Sequence, residues 1–252
     1  MRPDLINDLF EKEGTYWWNV TKREAVLSLL GSPQLGKDPK ARSLAVDIGC
    51  GTGYTAMVFQ SHFRMVGADV SRDALRLSRG RGLTRLCQID MTEFSLPFKS
   101  DSFDLVFALD VIEHIEDDVQ ALRECGRILK NGGLLVATVP AFMALWSPWD
   151  EALGHRRRYN ALTLAQTGQK AGLSTKRLSY MFFFVFPIAV LIRVVKRLIQ
   201  RNAVRYSSDF IPIPGPLNHL LIGIGRLEQW VLTKLNLNFP WGLSVISVMA
   251  KK

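Results

Sequence analysis

Ala45-Val-Asp-Ile-Gly-Cys-Gly-Thr-Gly53 is an apolar run that halts at a glycine loop and opens into the helix-like stretch Tyr54–His62. Gly49, Gly51 and Gly53 let the backbone turn sharply and bring its amides close to a ligand. A lone glycine loop is weak evidence, and dinucleotide enzymes space theirs as G-x-G-x-x-G. Here the spacing is G-x-G-x-G, with Asp47 two residues before the first glycine. A carboxylate there repels a pyrophosphate and suits the ammonium of an amino-acid ligand.

Outward from this loop, apolar runs alternate with helical stretches. Leu44–Ile48, Met65–Asp69, Thr84–Ile89, Phe103–Leu109 and Leu134–Val139 read as strands. Tyr54–His62, Arg72–Arg79 and Asp117–Leu129 read as the helices between them. The strands are nearly continuously apolar, as in a parallel sheet covered on both faces. This order predicts an α/β fold, doubly wound, with a mostly parallel seven-stranded sheet and its ligand at the carboxyl ends of the strands. Asp69 closes the second strand, where an acid can accept hydrogen bonds from two ribose hydroxyls. Asp90 closes the third, where it can accept from an adenine amino group with Met91 packed on the ring. Three acids at successive strand ends meet at one crevice.

Beyond Pro140, Thr163–Ala171 reads as a helix, Ser174–Phe184 as a strand and Trp241–Lys251 as the last strand. The expected organisation is one domain over 1–252. Residues 1–40 form an aromatic arm and a turn-rich linker, 41–186 the core and a substrate loop, 187–238 a helical insertion, and 239–252 the last strand.

A chain of 252 residues, 48% hydrophobic and 22% charged, can bury a core without a staple and is not a disordered chain. Its three cysteines, Cys50, Cys87 and Cys125, form no C-x-x-C pair, which argues against a disulfide scaffold or a zinc knuckle. No secretory signal opens the sequence, so a cytoplasmic location is expected. The net charge of +9 is unevenly spread: residues 1–154 carry −4 and residues 155–252 carry +13. Such a basic half points to nucleic acid, an anionic membrane or a phosphorylated substrate.

Val46-Asp-Ile-Gly-Cys-Gly-Thr-Gly53, Gly67-Ala-Asp69, Phe103-Asp-Leu-Val-Phe-Ala-Leu-Asp-Val-Ile-Glu-His114 and Arg127-Ile-Leu-Lys-Asn-Gly-Gly-Leu-Leu-Val136 together resemble the class I S-adenosylmethionine-dependent methyltransferase superfamily. The likeness covers about residues 44–140 and is greatest to the small-molecule branch that includes quinone-biosynthesis enzymes. It implies S-adenosylmethionine as cofactor. Asp47, Gly49, Cys50, Gly51 and Gly53 would hold its methionine part, Asp69 and Val70 the ribose, and Asp90 with Met91 the adenine. Backbone around Ala108 and Leu109 would meet the methionine end.

The sulfonium is already activated, so aligning the acceptor is the main task. A general base matters only where the acceptor must lose a proton; His114, His155 and Asp150 are the candidates. Tyr16, Trp17 and Trp18 of the arm, with Arg156, Arg157 and Tyr159 of the Gly-His-Arg-Arg-Arg-Tyr loop, are expected around the acceptor. One tryptophan should instead pack the arm, and at least one arginine should be solvated. No metal is expected. The arm and loop together resemble bacterial methyltransferases of envelope glycan and lipid pathways.

Residues 188–204 fit an amphipathic helix. Ile188, Leu191, Ile192, Val195, Leu198 and Ile199 lie opposite Arg193, Lys196, Arg197 and Arg201, the pattern of an interfacial helix. A second apolar stripe runs through Leu217, Leu220, Leu221, Ile224, Leu227, Val231 and Leu235. The expectation is therefore an enzyme peripheral to the inner face of an anionic membrane, O-methylating an amphipathic or lipid-linked small molecule. A nucleic-acid methyltransferase is disfavoured because the cations alternate with aliphatic stripes and no Asn/Asp-Pro-Pro-aromatic tetrad is present. A non-catalytic module recruiting partners to membranes is the alternative from another class.

Overall fold

The computed structural model describes residues 12–34, 42–93, 95–199 and 213–251. Its seven strands are β1 (Leu44–Ile48), β2 (Arg64–Asp69), β3 (Leu86–Gln88), β4 (Phe103–Leu109), β5 (Leu129–Pro140), β6 (Leu173–Met181) and β7 (Ser244–Lys251). They form one sheet in the order β3-β2-β1-β4-β5-β7-β6. Only β7 runs against its neighbours. Sequence order reverses between β1 and β4, so the loops after these strands diverge and leave a crevice at their carboxyl ends.

The central strands are buried on both faces, which is why β1 and β4 are apolar at successive positions rather than alternately. Helices α2 (Tyr54–Phe59), α3 (Arg72–Gly80) and α4 (Asp118–Ile128) cross between parallel strands. Ser71 caps α3 by accepting from the Ala74 amide, and Asp117 caps α4 by accepting from Gln120. α5 (Pro148–Leu153) and α6 (Ala161–Lys170) follow β5.

Several boundaries differ from expectation. β3 keeps only Leu86–Gln88 of the stretch 84–89, β5 begins at Leu129 rather than Leu134, and β7 begins at Ser244 rather than Trp241. β6 ends before Phe182, whose φ of 62° breaks the strand. At the N-terminus, α1 (Trp17–Gln34) runs through Gly31, where φ 69° and ψ 175° kink it, into the stretch expected as linker.

Between β6 and β7 lie α7 (Phe186–Ile199) and α8 (Gly215–Lys234). α8 packs along α1. Gly225 permits the approach, since a Cβ there would come within 2.3 Å of Thr21 Cγ2. Asn218 clasps the start of α1, accepting from the Trp17 amide at 2.9 Å and donating to the Thr15 carbonyl at 2.9 Å. Buried Glu228 accepts from the amides of Phe182 and Phe184 at 2.8 and 2.9 Å, fastening α8 to the end of β6. The buried stripe of α8 is thus Gly225, Glu228 and Leu232. The expected stripe points elsewhere: Leu217, Leu220, Leu227 and Leu235 are exposed. In α7, Ile188, Leu191, Ile192, Val194 and Val195 are exposed as well. Arg201, and the side chains of Lys196, Arg197, Leu198 and Ile199, lie outside the described residues. None of the described helices is long and apolar enough to cross a membrane.

Candidate active site

A single cavity of about 1110 Å³ lies at the carboxyl ends of the strands, bounded by the glycine loop, α1, the β5–α6 connection, α7 and α8. One end is polar. Asp47, Gly49, Cys50, Gly51, Asp69, Val70, Asp90, Met91 and Leu109 all line it. Gly49 turns the chain at φ 69°, and a Cβ there would meet Val111 at 2.5 Å. Gly51 has φ 53° and nothing within 4 Å of its missing Cβ, so its backbone is bare toward the cavity. The Asp69 carboxylate shapes this loop by accepting from the amides of Gly51 and Ser71, both at 2.8 Å. Asp90 accepts from the Thr92 amide and hydroxyl, which hold its carboxyl below the usual range. Burial, with Asp69 and Glu13 adding, pushes Asp47 up to about 8. A cation placed there would relieve it. These features fit an adenosyl amino acid: a bare glycine backbone, three strand-end acids and one buried carboxyl that lacks a cation.

Gly53 and Ala108 do not line the cavity. Gly53 begins α2 against Leu83 and Ser78, and Ala108 is fully buried inside β4. The wall beyond Leu109 is instead formed by Asp110 and Val111. Lys22 of α1 is ion-paired with Asp110, which also accepts from Thr138 at 2.8 Å. Glu13 meets Thr52 and Arg81, so the arm is fastened across the glycine loop at two places.

Next to Asp110 sits a cluster of Glu113, His114 and His155. Glu113 is fully buried and neither carboxyl oxygen has a hydrogen-bond partner. Burial, then the neighbouring Asp110, raises its carboxyl well above the usual range. His155 Nδ1 donates to Asp150 at 2.8 Å, which turns Nε2 toward Glu113 at 3.9 Å. His114 Nδ1 donates to the Gly154 carbonyl at 3.2 Å, and burial and His155 lower its imidazole to about 4. The two rings meet edge-on, 4.7 Å apart. Donor atoms of the three residues lie within 4.8 Å of one another, a two-imidazole, one-carboxyl set of a kind that can hold a divalent metal. From sequence no metal is expected here, and Glu113 enters only as the acid of the pair Glu113-His114, not among the candidate bases.

Asp150 needs correcting as a catalytic candidate. It is fully buried, does not line the cavity and is saturated. It accepts from His155 Nδ1, from Arg158 Nε at 2.8 Å and Nη2 at 2.9 Å, and from the Ser147 amide at 2.8 Å. Burial alone would raise its carboxyl, but the bonds from His155 and Arg158 bring it far below the usual range. It positions His155 rather than taking a proton.

The acceptor-loop residues need the same correction. Arg156 points outward, donating to the His114 carbonyl and meeting Glu116, while Arg157 is ion-paired with Asp118 at 3.2 Å. Buried Tyr159 donates to Asp118 at 2.7 Å. None of the three lines the cavity; the loop contributes His155 and Arg158, both bonded to Asp150. In the arm, Tyr16, Trp17 and Trp18 all line the cavity. Trp18 stacks on Phe182 with centroids 3.9 Å apart, and Trp17 lies edge-on to the same ring. Arg193 of α7 does not project to the outer surface: it lines the cavity and donates to the Leu145 carbonyl at 2.8 Å.

A family model described as a methyltransferase domain matches residues 46–137. A mouse protein named Probable tRNA methyltransferase 9B is 32% identical over 136 residues, 49% of this chain and 29% of that protein. The ubiquinone biosynthesis O-methyltransferase of Xanthomonas oryzae pv. oryzae is 27% identical over 151 residues, 55% of this chain and 63% of that one. The chain thus spans less than two thirds of the length of these curated relatives. Among solved structures, phosphoethanolamine N-methyltransferase 2 of Haemonchus contortus, in complex with S-adenosyl-L-methionine, superposes with a TM-score of 0.59 at 20% identity. That match covers 98% of this chain and 57% of the other, and it concerns the fold.

Proposed function

We propose that this chain, whose core belongs to the class I S-adenosylmethionine-dependent methyltransferase superfamily, methylates a hydroxyl of an amphipathic or lipid-linked small molecule at a membrane surface. The observation that carries the reading is one cavity with two characters: an acid-lined end at the glycine loop and an apolar end between α7 and α8. When bound, S-adenosylmethionine supplies an electrophilic methyl group. Asp47, Gly49 and Gly51 hold its amino-acid part, Asp69 its ribose, and Asp90 with Met91 its adenine.

The acceptor hydroxyl lies between this end and the histidine cluster. His155 Nε2 would take the acceptor hydroxyl's proton, and Asp150 would steady the resulting imidazolium through Nδ1. His114, lowered to about 4 by burial and by His155, lines the pocket beside it. The charges near the reacting oxygen are already paired, Lys22 with Asp110 and Arg158 with Asp150. That favours a sugar or phenol hydroxyl over a phosphate at this point.

The exposed aliphatic rows of α7 and α8, in a half of net charge +13, support peripheral binding to anionic lipid. Each basic residue near such a surface contributes about 1 kcal/mol, screened by salt. Methyl-label transfer from S-adenosylmethionine into an extracted lipid pool tests the reading. Label in the lipid fraction supports it. Label confined to RNA favours the tRNA relative's chemistry and overturns it.

A further inference from the structure

We infer that the protein itself holds the acceptor's long aliphatic tail, in the apolar end of the reaction cavity between α7 and α8. This deepens the proposed function and rests on it. At about 1110 Å³ the cavity exceeds the roughly 300–1,000 Å³ of ordinary ligand pockets, so it has room for more than a cofactor. Its polarity is segregated. Away from the glycine loop the wall is Val185, Ile188, Ala189 and Ile192 from α7 and its approach, facing Leu217 and Leu221 of α8.

Ile188 is 62% exposed and Leu217 45%, so this end opens outward between apolar side chains of both helices. Exposed apolar surface is normally kept small in a free protein, and a mouth ringed by it marks a binding site. Trp17 and Trp18 of α1 also line the cavity and are backed by the buried Phe182 ring. α8 is fixed to α1, whereas α7 has no comparable partner among the described residues. One wall is thus built in and the other is left to be completed by what enters. The occupant must be apolar along the helices and must place a hydroxyl at the histidine cluster. A long aliphatic chain meets both demands; a polar soluble acceptor leaves the apolar end unfilled.

The test uses the full chain without vesicles. The probes are 1-alkanols from butanol to dodecanol, brominated along the chain. Bromine quenches tryptophan fluorescence, and Trp17, Trp18 and Trp149 all line the cavity. Saturable quenching is expected, tightening by up to about fourfold per methylene. Ala189→Phe, which fills the groove from α7, should weaken it roughly tenfold while S-adenosylhomocysteine affinity stays unchanged. Should that variant melt early, Ile192→Asp on the same wall carries the same expectation at an already exposed position. Quenching that never saturates, or that both variants leave intact, overturns the inference. Vesicle binding without chain capture also overturns it, and spares the membrane reading. A wild-type chain that binds no S-adenosylhomocysteine overturns the proposed function and this inference with it.

Discussion

The two ends of the cavity are built on opposite principles. At the glycine loop the functional groups come from consecutive strand ends of one sheet, and two of the three acids are placed by backbone: Asp69 by two amides, Asp90 by the Thr92 turn. At the acceptor end the walls come from five separate segments, residues 16–23, 113–115, 149–158, 185–193 and 213–221, which meet only through tertiary contacts. Backbone-placed groups keep their geometry when one side chain changes. Groups held by side-chain networks fail together. The difference teaches that the acceptor end is the more fragile and the more open to change.

The largest effect that could break this comparison is expected at the Asp150 network. Arg158→Ala strips the buried carboxylate of its bidentate partner, and breaking a buried pair costs roughly 3–5 kcal/mol. For a chain of this size that is a fall in Tm of at least about 6 °C by calorimetry. A fall of less than about 2 °C, no more than about 1 kcal/mol gives, removes the network argument.

Next comes the cofactor end. Asp69→Ala deletes the acceptor proposed for two ribose bonds, so a loss of about 1.5–3 kcal/mol, or at least roughly tenfold in affinity, is expected. Isothermal calorimetry with S-adenosylhomocysteine reads it, alongside a melting curve. Unchanged affinity in a folded variant would falsify the ribose assignment.

A smaller, directional effect concerns pH. Asp47 is raised to about 8, so at pH 7 most of it is protonated, and a bound ammonium favours the ionised form. Binding at pH 7 should therefore release close to one proton, and affinity should rise with pH until about 8 and then level. Calorimetry in buffers of different ionisation enthalpy measures the release. Asp47→Asn should abolish it. Proton uptake in the wild type would reverse the sign and exclude the pairing.

The smallest effect sharpens the acceptor end. Arg156→Ala should change stability and turnover within about 0.5 kcal/mol, because an exposed ion pair contributes little. A large loss of turnover would return Arg156 to the acceptor site.

Much of this was legible in the residues themselves. The glycine spacing, Asp47, Asp69 and Asp90 lie at the ends of locally encoded strands, so their meeting follows once the strands are parallel and adjacent. The insertion between β6 and β7 was legible too, because amphipathic stripes at helical spacing are local. The Gly-His-Arg-Arg-Arg-Tyr loop was legible only as a loop. Which arginine turns inward depends on where Asp150 and Asp118 arrive from other segments, and sequence spacing carries no record of that.

The stripe of α8 shows the same division. Periodicity identified an apolar face but not the side that faces inward, because Gly225 and Glu228 look unfavourable for a buried stripe. Tertiary structure supplied that side and left Leu217, Leu220, Leu227 and Leu235 of the expected lipid-facing stripe exposed. Thr21 fits against a missing Cβ, and three backbone amides at the end of β6, those of Phe182, Phe183 and Phe184, satisfy the buried carboxyl. Sequence alone therefore determined the sheet, its cofactor crevice and the existence of the insertion, since each rests on short-range pattern. Tertiary structure decided the histidine cluster, which arginine of the Gly-His-Arg-Arg-Arg-Tyr loop turns inward and the open apolar mouth, since each depends on charges and cavities supplied by distant parts of the chain.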